Sequence, residues 1–90
     1  MSDAAHDPNA HLHVEVFAPS EPKPRRFTFP TSETVGDAAL KAATELGLHP
    51  TAPSFEIEAS ETVLDRGLTL AQAGIADGWR LELVDVGGGV

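Results

Sequence analysis

The sequence has no cysteine. That absence excludes disulfides, thiolate metal sites and a cysteine nucleophile together. No apolar run approaches the length of a membrane span. The first ten residues, Met1 to Ala10, lack a basic segment followed by an apolar one, so a secretory signal is not expected and cytoplasm is the default location. Basic residues are scarce: six Lys and Arg against fourteen Asp and Glu, a net charge of −8. A surface this acidic repels nucleic acid and anionic membrane, and neither is an expected partner. There is no phosphate-binding glycine loop, no repeat, no sustained heptad, and no nucleophile elbow to organise Ser, Thr and His into a hydrolase. No catalytic constellation emerges from these residues, and no cofactor is expected.

What remains is enough for one small α+β domain. Ninety residues support a single modest core. Residues 1–10 are polar, small and turn-rich and read as a disordered tail. From His11 the pattern has period two, with Leu12, Val14 and Val16 on one face and His11, His13 and Glu15 on the other. The proline-rich stretch from Ala18 to Pro24 ends that strand. Phe27 and Phe29 share a face in a second strand, and the two strands form a hairpin. Thr34 caps a helix over 34–47 whose apolar stripe runs through Val35, Ala38 or Ala39, Ala42 and Leu46. Gly47 is its left-handed cap and Pro50 stops it resuming. Ser54 to Ala59 and Thr62 to Leu64 read as strands. Thr69 to Gly74 reads as a single capped helical turn, Asp77-Gly78 as a turn, and Leu81 to Val86 as the last strand. One helix must cover one sheet face, giving two layers. The expected core is Leu12, Val14, Val16, Phe27, Phe29, Val35, Leu46, Ile57, Leu64, Leu70, Ile75, Leu81 and Leu83.

Several residue groups invite chemistry. His11 and His13 share a strand face, but His6 and His49 lie apart and no carboxylate pattern completes a ligand set. Solvated strand histidines are the reading, and no metal is expected. Glu56 and Glu58 read as the polar face of a strand rather than an acid–base pair. Lys23, Arg25 and Arg26 read as loop charge. Trp79 follows a turn, where it either anchors an interface or covers the edge of the core. Gly87-Gly88-Gly89 and Val90 follow the last strand. A run of glycines is thin and conformationally free, so it can thread a narrow channel and present a carboxylate; a frayed terminus is the plain alternative.

The element order over residues 11–90 resembles the β-grasp fold of ubiquitin-like proteins, a mixed four- to five-stranded sheet on one long helix. Leu64-Asp65-Arg66-Gly67-Leu68-Thr69-Leu70, then Ala73-Gly74-Ile75-Ala76-Asp77-Gly78, then Leu81-x-Leu83-Val84 and the glycines, carry the resemblance. Ser32-Glu33-Thr34-Val35 at the helix entry adds to it. The resemblance implies a folded domain over 11–86 and a flexible tail over 87–90. It further implies that the carboxylate of Gly89 is adenylated by an activating enzyme with ATP, passed to a thioester on a conjugating enzyme, and joined to a target protein through an isopeptide bond. The alternatives are a sulfur carrier, with a terminal thiocarboxylate, and a noncovalent module. The chain is expected to be a monomer when free.

Three departures qualify the resemblance. Val90 follows the glycines, so a processing protease, of JAB type in bacterial systems, is implied to expose Gly89, with Gly88 needed for passage through the channel. Asp85 and Val86 stand where ubiquitin has arginines, which implies a dedicated activating enzyme. Glu58 and Glu82 occupy positions of ubiquitin's apolar reader patch, of which only Val84 remains, so conventional ubiquitin-binding domains should not bind. Lys23 and Lys41 are the candidate acceptor lysines. The alanine- and glycine-rich composition and the altered surface suggest a bacterial-type modifier.

Overall fold

The strands assemble in the order β2-β1-β5-β3-β4, which places the last strand of the chain at the centre of the sheet. The computed structural model describes residues 10–18, 23–58, 60 and 62–86. The expected N-terminal tail, apart from Ala10, and the tail 87–90 lie outside the described residues, as do Ala59, Glu61 and part of the β1–β2 loop. The elements are β1 (His11–Phe17), β2 (Arg25–Pro30), α1 (Val35–Glu45), β3 (Pro53–Ile57), β4 (Thr62–Val63) and β5 (Arg80–Asp85). β1 and β5 run parallel; the other neighbours are antiparallel. The sheet has five strands and is mixed.

The β1–β2 hairpin follows from period two. Leu12 pairs with Phe29 and Val14 with Phe27, so the apolar residues of both strands fall on the helix side. The Phe27 and Phe29 rings stack 5.7 Å apart, and Phe29 reaches Phe55 at 6.3 Å. Phe55 is fully buried and is the largest such side chain. It was absent from the expected core, whereas Phe27, Leu46 and Ile57 pack only at its margin.

The helix is shorter than the expected 34–47: it has eleven residues. Thr34 Oγ1 accepts the Asp37 N–H at 3.2 Å, so Thr34 lies outside the helix as its cap. At the other end Gly47 N–H donates to Thr44 (3.1 Å) and Leu48 N–H to Ala43 (2.8 Å). That pair of bonds is a Schellman closure, made possible by Gly47 at φ 77°. Leu48 then folds onto the core. Ala38, Ala39, Ala42 and Ala43 are all fully buried, so a small-residue face brings the helix backbone close to the sheet.

Residues 65–75 tie this helix to the sheet. Val35 and Gly36 N–H groups donate to the carbonyls of Leu68 (2.8 Å) and Arg66 (3.0 Å). Gly36 leaves room for Arg66: a Cβ there would meet the guanidinium at 3.0 Å. Arg66 Nε donates to the Pro53 carbonyl at 2.7 Å. Thr69 and Gln72 cap one another, Gln72 N–H to Thr69 Oγ1 (3.0 Å) and Thr69 N–H to Gln72 Oε1 (2.9 Å). This is the reciprocal box of a helix start, here closing a single turn.

Candidate functional site

The end of β5 is held firmly up to the residue before the glycines. Asp85 Oδ2 accepts the Thr51 N–H and Oδ1 the Ala52 N–H, each at 2.9 Å. Val86 N–H donates to the Ala52 carbonyl at 2.9 Å. Three bonds therefore fasten the strand end to the segment entering β3, so Gly87 follows a fixed point. Gly87, Gly88, Gly89 and Val90, the expected processing and conjugation residues, lie outside the described residues.

The sheet face away from the helix carries the expected partner surface. Leu81 and Leu83 are buried, while Glu82 is exposed and Val84 half-buried. The β3–β5 register sets Glu56 directly against Glu82 and Ser54 against Val84. Glu58 lies beyond the end of β3, its N–H donating weakly to the Arg80 carbonyl at 3.5 Å. The residue facing Glu82 is thus Glu56, a neighbour chosen by strand pairing. Val63, on β4, pairs with Glu56 on its other side and is 46% exposed.

Two depressions flank this surface. A groove of about 450 Å³ is lined by Leu48, His49, Pro50, Glu82, Leu83, Val84 and Asp85. A smaller one, about 320 Å³, lies between Ile57, Glu58, Trp79 and Arg80. Trp79 is half-buried and packs against the core, so its ring closes the edge of the core while lining that second depression.

The lysines differ. Lys41 Nζ lies 2.6 Å from Glu33 Oε2, and the Glu33 side chain is only 8% exposed. Lys23 is exposed, beside the β2 edge. His13 is exposed and bound to Asp77: its backbone N–H (2.6 Å) and Nδ1 (3.1 Å) both meet Asp77 Oδ1. The backbone donor, with the ring contact second, holds the Asp77 carboxyl below its ordinary range. No group of three or more metal-ligating side chains occurs among the described residues. No described helix is long and apolar enough to cross a membrane.

The Glu56–Glu82 opposition and the Asp85 clamp were not anticipated. Alternation tells which residues share a face but not which residue a neighbouring strand sets opposite. The clamp joins residues more than thirty positions apart, and no local pattern marks it.

This arrangement is a ubiquitin-like β-grasp fold. No family model and no curated protein matches the sequence. Solved structures do match. Caldiarchaeum subterraneum ubiquitin is similar at 21% identity and TM-score 0.69, over 89% of this chain and 99% of that one. The ubiquitin-like domain of tubulin-binding cofactor B is similar at 20% identity and TM-score 0.66, over 88% and 93%. A chain of the toluene 4-monooxygenase HD complex is similar at 14% identity and TM-score 0.74, over 83% and 98%. At these identities the likeness is one of fold.

Proposed function

We propose that this chain is a ubiquitin-like protein modifier, cut after Gly89, adenylated at the Gly89 carboxylate by an activating enzyme and conjugated to target proteins. The observation that carries this reading is a run of three glycines one residue past the central strand of a ubiquitin-like fold. The Asp85 clamp supports it, because a fixed departure point lets a partner meet the domain and the carboxylate in one geometry. In the proposed sequence, a Gly89 carboxylate oxygen attacks the α-phosphorus of ATP and pyrophosphate leaves. A partner's thiolate then displaces AMP, and a target amine displaces the thiol to form an isopeptide bond. Glycine suits the first step because no β-carbon obstructs approach to the carboxyl carbon. Whatever follows Gly89, Val90 included, must be removed first by a processing protease. A sulfur carrier would share the adenylated intermediate and differ at the next step, when sulfide replaces AMP.

A noncovalent module is the second reading. What favours it is the similarity to a chain of the toluene 4-monooxygenase complex, whose name describes an enzyme assembly rather than a modifier. Intact-mass analysis with the activating enzyme of the same genome separates the readings. Chains cut after Gly88, Gly89 and Val90 are compared, together with a Gly89→Ala variant. The modifier and carrier readings require ATP-dependent activation of the Gly89 form only; activation of none supports the module.

A further inference from the structure

The cations of this chain are distributed unevenly over its carboxylates. All six Lys and Arg are among the described residues. Two turn to one acid: Arg80 Nε lies 3.2 Å and Arg26 3.9 Å from the Glu15 carboxylate. Lys41 is on Glu33, and Arg66 is on a backbone carbonyl. Lys23 and Arg25 lie at the β2 end of the sheet, with β1 between them and β5. Glu56 and Glu82, paired face to face on β3 and β5, have no ion-pair partner among the described residues. Like charges directly opposite across two strands are destabilising. A local cost kept in the middle of a sheet is the kind of inconsistency that marks a binding site.

The surroundings say what fits there. Val63 flanks Glu56, and Val84 follows Glu82 by two residues on the same face. In a strand that spacing is about 7 Å. The groove formed with Leu48, His49 and Pro50 shares both Glu82 and Val84. The surface therefore offers paired carboxylates beside an apolar recess.

We propose that this face docks an extended segment of a partner protein carrying an arginine and, two residues away, an aliphatic side chain. The guanidinium sits between Glu56 and Glu82, its fork donating to both carboxylates. The aliphatic side chain rests on Val84 and enters the groove. Charge complementarity selects this occupant. A second copy would bring the same acids to the contact, and two chains of charge −8 repel. An uncharged apolar partner would bury both carboxylates unpaired, at high cost. The proposal does not depend on the fate of the glycine run and holds for a modifier, a carrier or a module.

The test is a titration of the ¹⁵N-labelled full chain, followed by amide shifts. The probe is an acetylated, amidated Thr-Arg-Thr-Leu-Thr-Thr peptide; its twin has glutamate in place of the arginine. The arginine peptide is expected to shift Glu56, Val63, Glu82 and Val84 and to bind about tenfold tighter than its twin, with the difference shrinking as salt screens it. The Glu56→Gln, Glu82→Gln double variant should lose the preference while unfolding at a higher denaturant concentration than the parent, since repulsion has been removed. Loss of binding therefore cannot be confused with loss of fold. Equal binding of the two peptides, no binding of either, an unchanged preference in the double variant, or shifts centred on Arg25 and Arg26 would each overturn the proposal.

Discussion

Asp85 reaches from the last strand to the backbone of Thr51, its Oδ2 2.9 Å from that N–H, while Oδ1 holds the neighbouring Ala52 N–H. A carboxylate with two backbone donors at good length makes charge-assisted bonds. Replacing Asp85 with alanine should cost about 1–2 kcal/mol, held to the low end by its exposure to solvent. Denaturant titration measures the loss. Hydrogen exchange should show the Val86 amide, bonded to Ala52, opening more than those of β1. An Asp85→Ala variant with parental stability and unchanged Val86 exchange would remove the clamp from the account.

A second prediction concerns acid. Asp77 has its carboxyl held below its ordinary value of 3.8 by the His13 backbone N–H and ring. Its contribution is fully present above the unfolded value and is lost as pH falls through the lower folded value. The affected window thus lies below about pH 4. Denaturant midpoints for the parent and Asp77→Asn, at pH 5 and pH 3, should converge at the lower pH. A constant gap between them would show that the pair is not linked to acid stability.

The core makes a third test. Phe55 and Leu83 are almost wholly buried under α1. Phe55→Ala should cost about 3–5 kcal/mol and Leu83→Ala about 2–5 kcal/mol. Thermal or denaturant unfolding that moves by less than about 1 kcal/mol for either would contradict the assigned packing.

Most of this fold was legible because its periods are regular. Leu12, Val14 and Val16 alternate cleanly, and Thr34 and Gly47 bracket the helix with the side chain and the backbone freedom that caps require. The helix was overestimated by the length of its caps, since a capping residue belongs to the pattern without joining the helix. Phe55 shares a face with Ile57, yet only three-dimensional packing shows Phe55 at the centre under the alanine face and Ile57 at the margin. The candidate surface was partly legible: Glu82 and Val84 follow from alternation along β5. Alternation also put Glu56 on a polar strand face, but its position opposite Glu82 depends on a register set by two strands far apart in sequence.

Under the proposed function the two lysines should behave differently as acceptors. Lys41 is engaged by Glu33 at 2.6 Å, whereas Lys23 is exposed at the β2 edge. Peptide mapping of self-conjugates should find linkage mainly at Lys23, and Glu33→Gln should raise the share at Lys41. A Lys23→Arg variant that forms chains as readily as the parent would contradict this assignment.

The central claim is that the Gly89 carboxylate becomes joined to other proteins, and its most direct test is mass spectrometry of branched peptides from cells making this chain. Arg80 is the last basic residue before the glycines, so trypsin cuts after it. A target lysine conjugated through Gly89 will carry residues 81–89 on its ε-amine. The account predicts that branched remnant, absent from cells in which Gly89 is deleted. Recovery of the chain only as free protein retaining Val90, with no remnant on any lysine, would contradict the account.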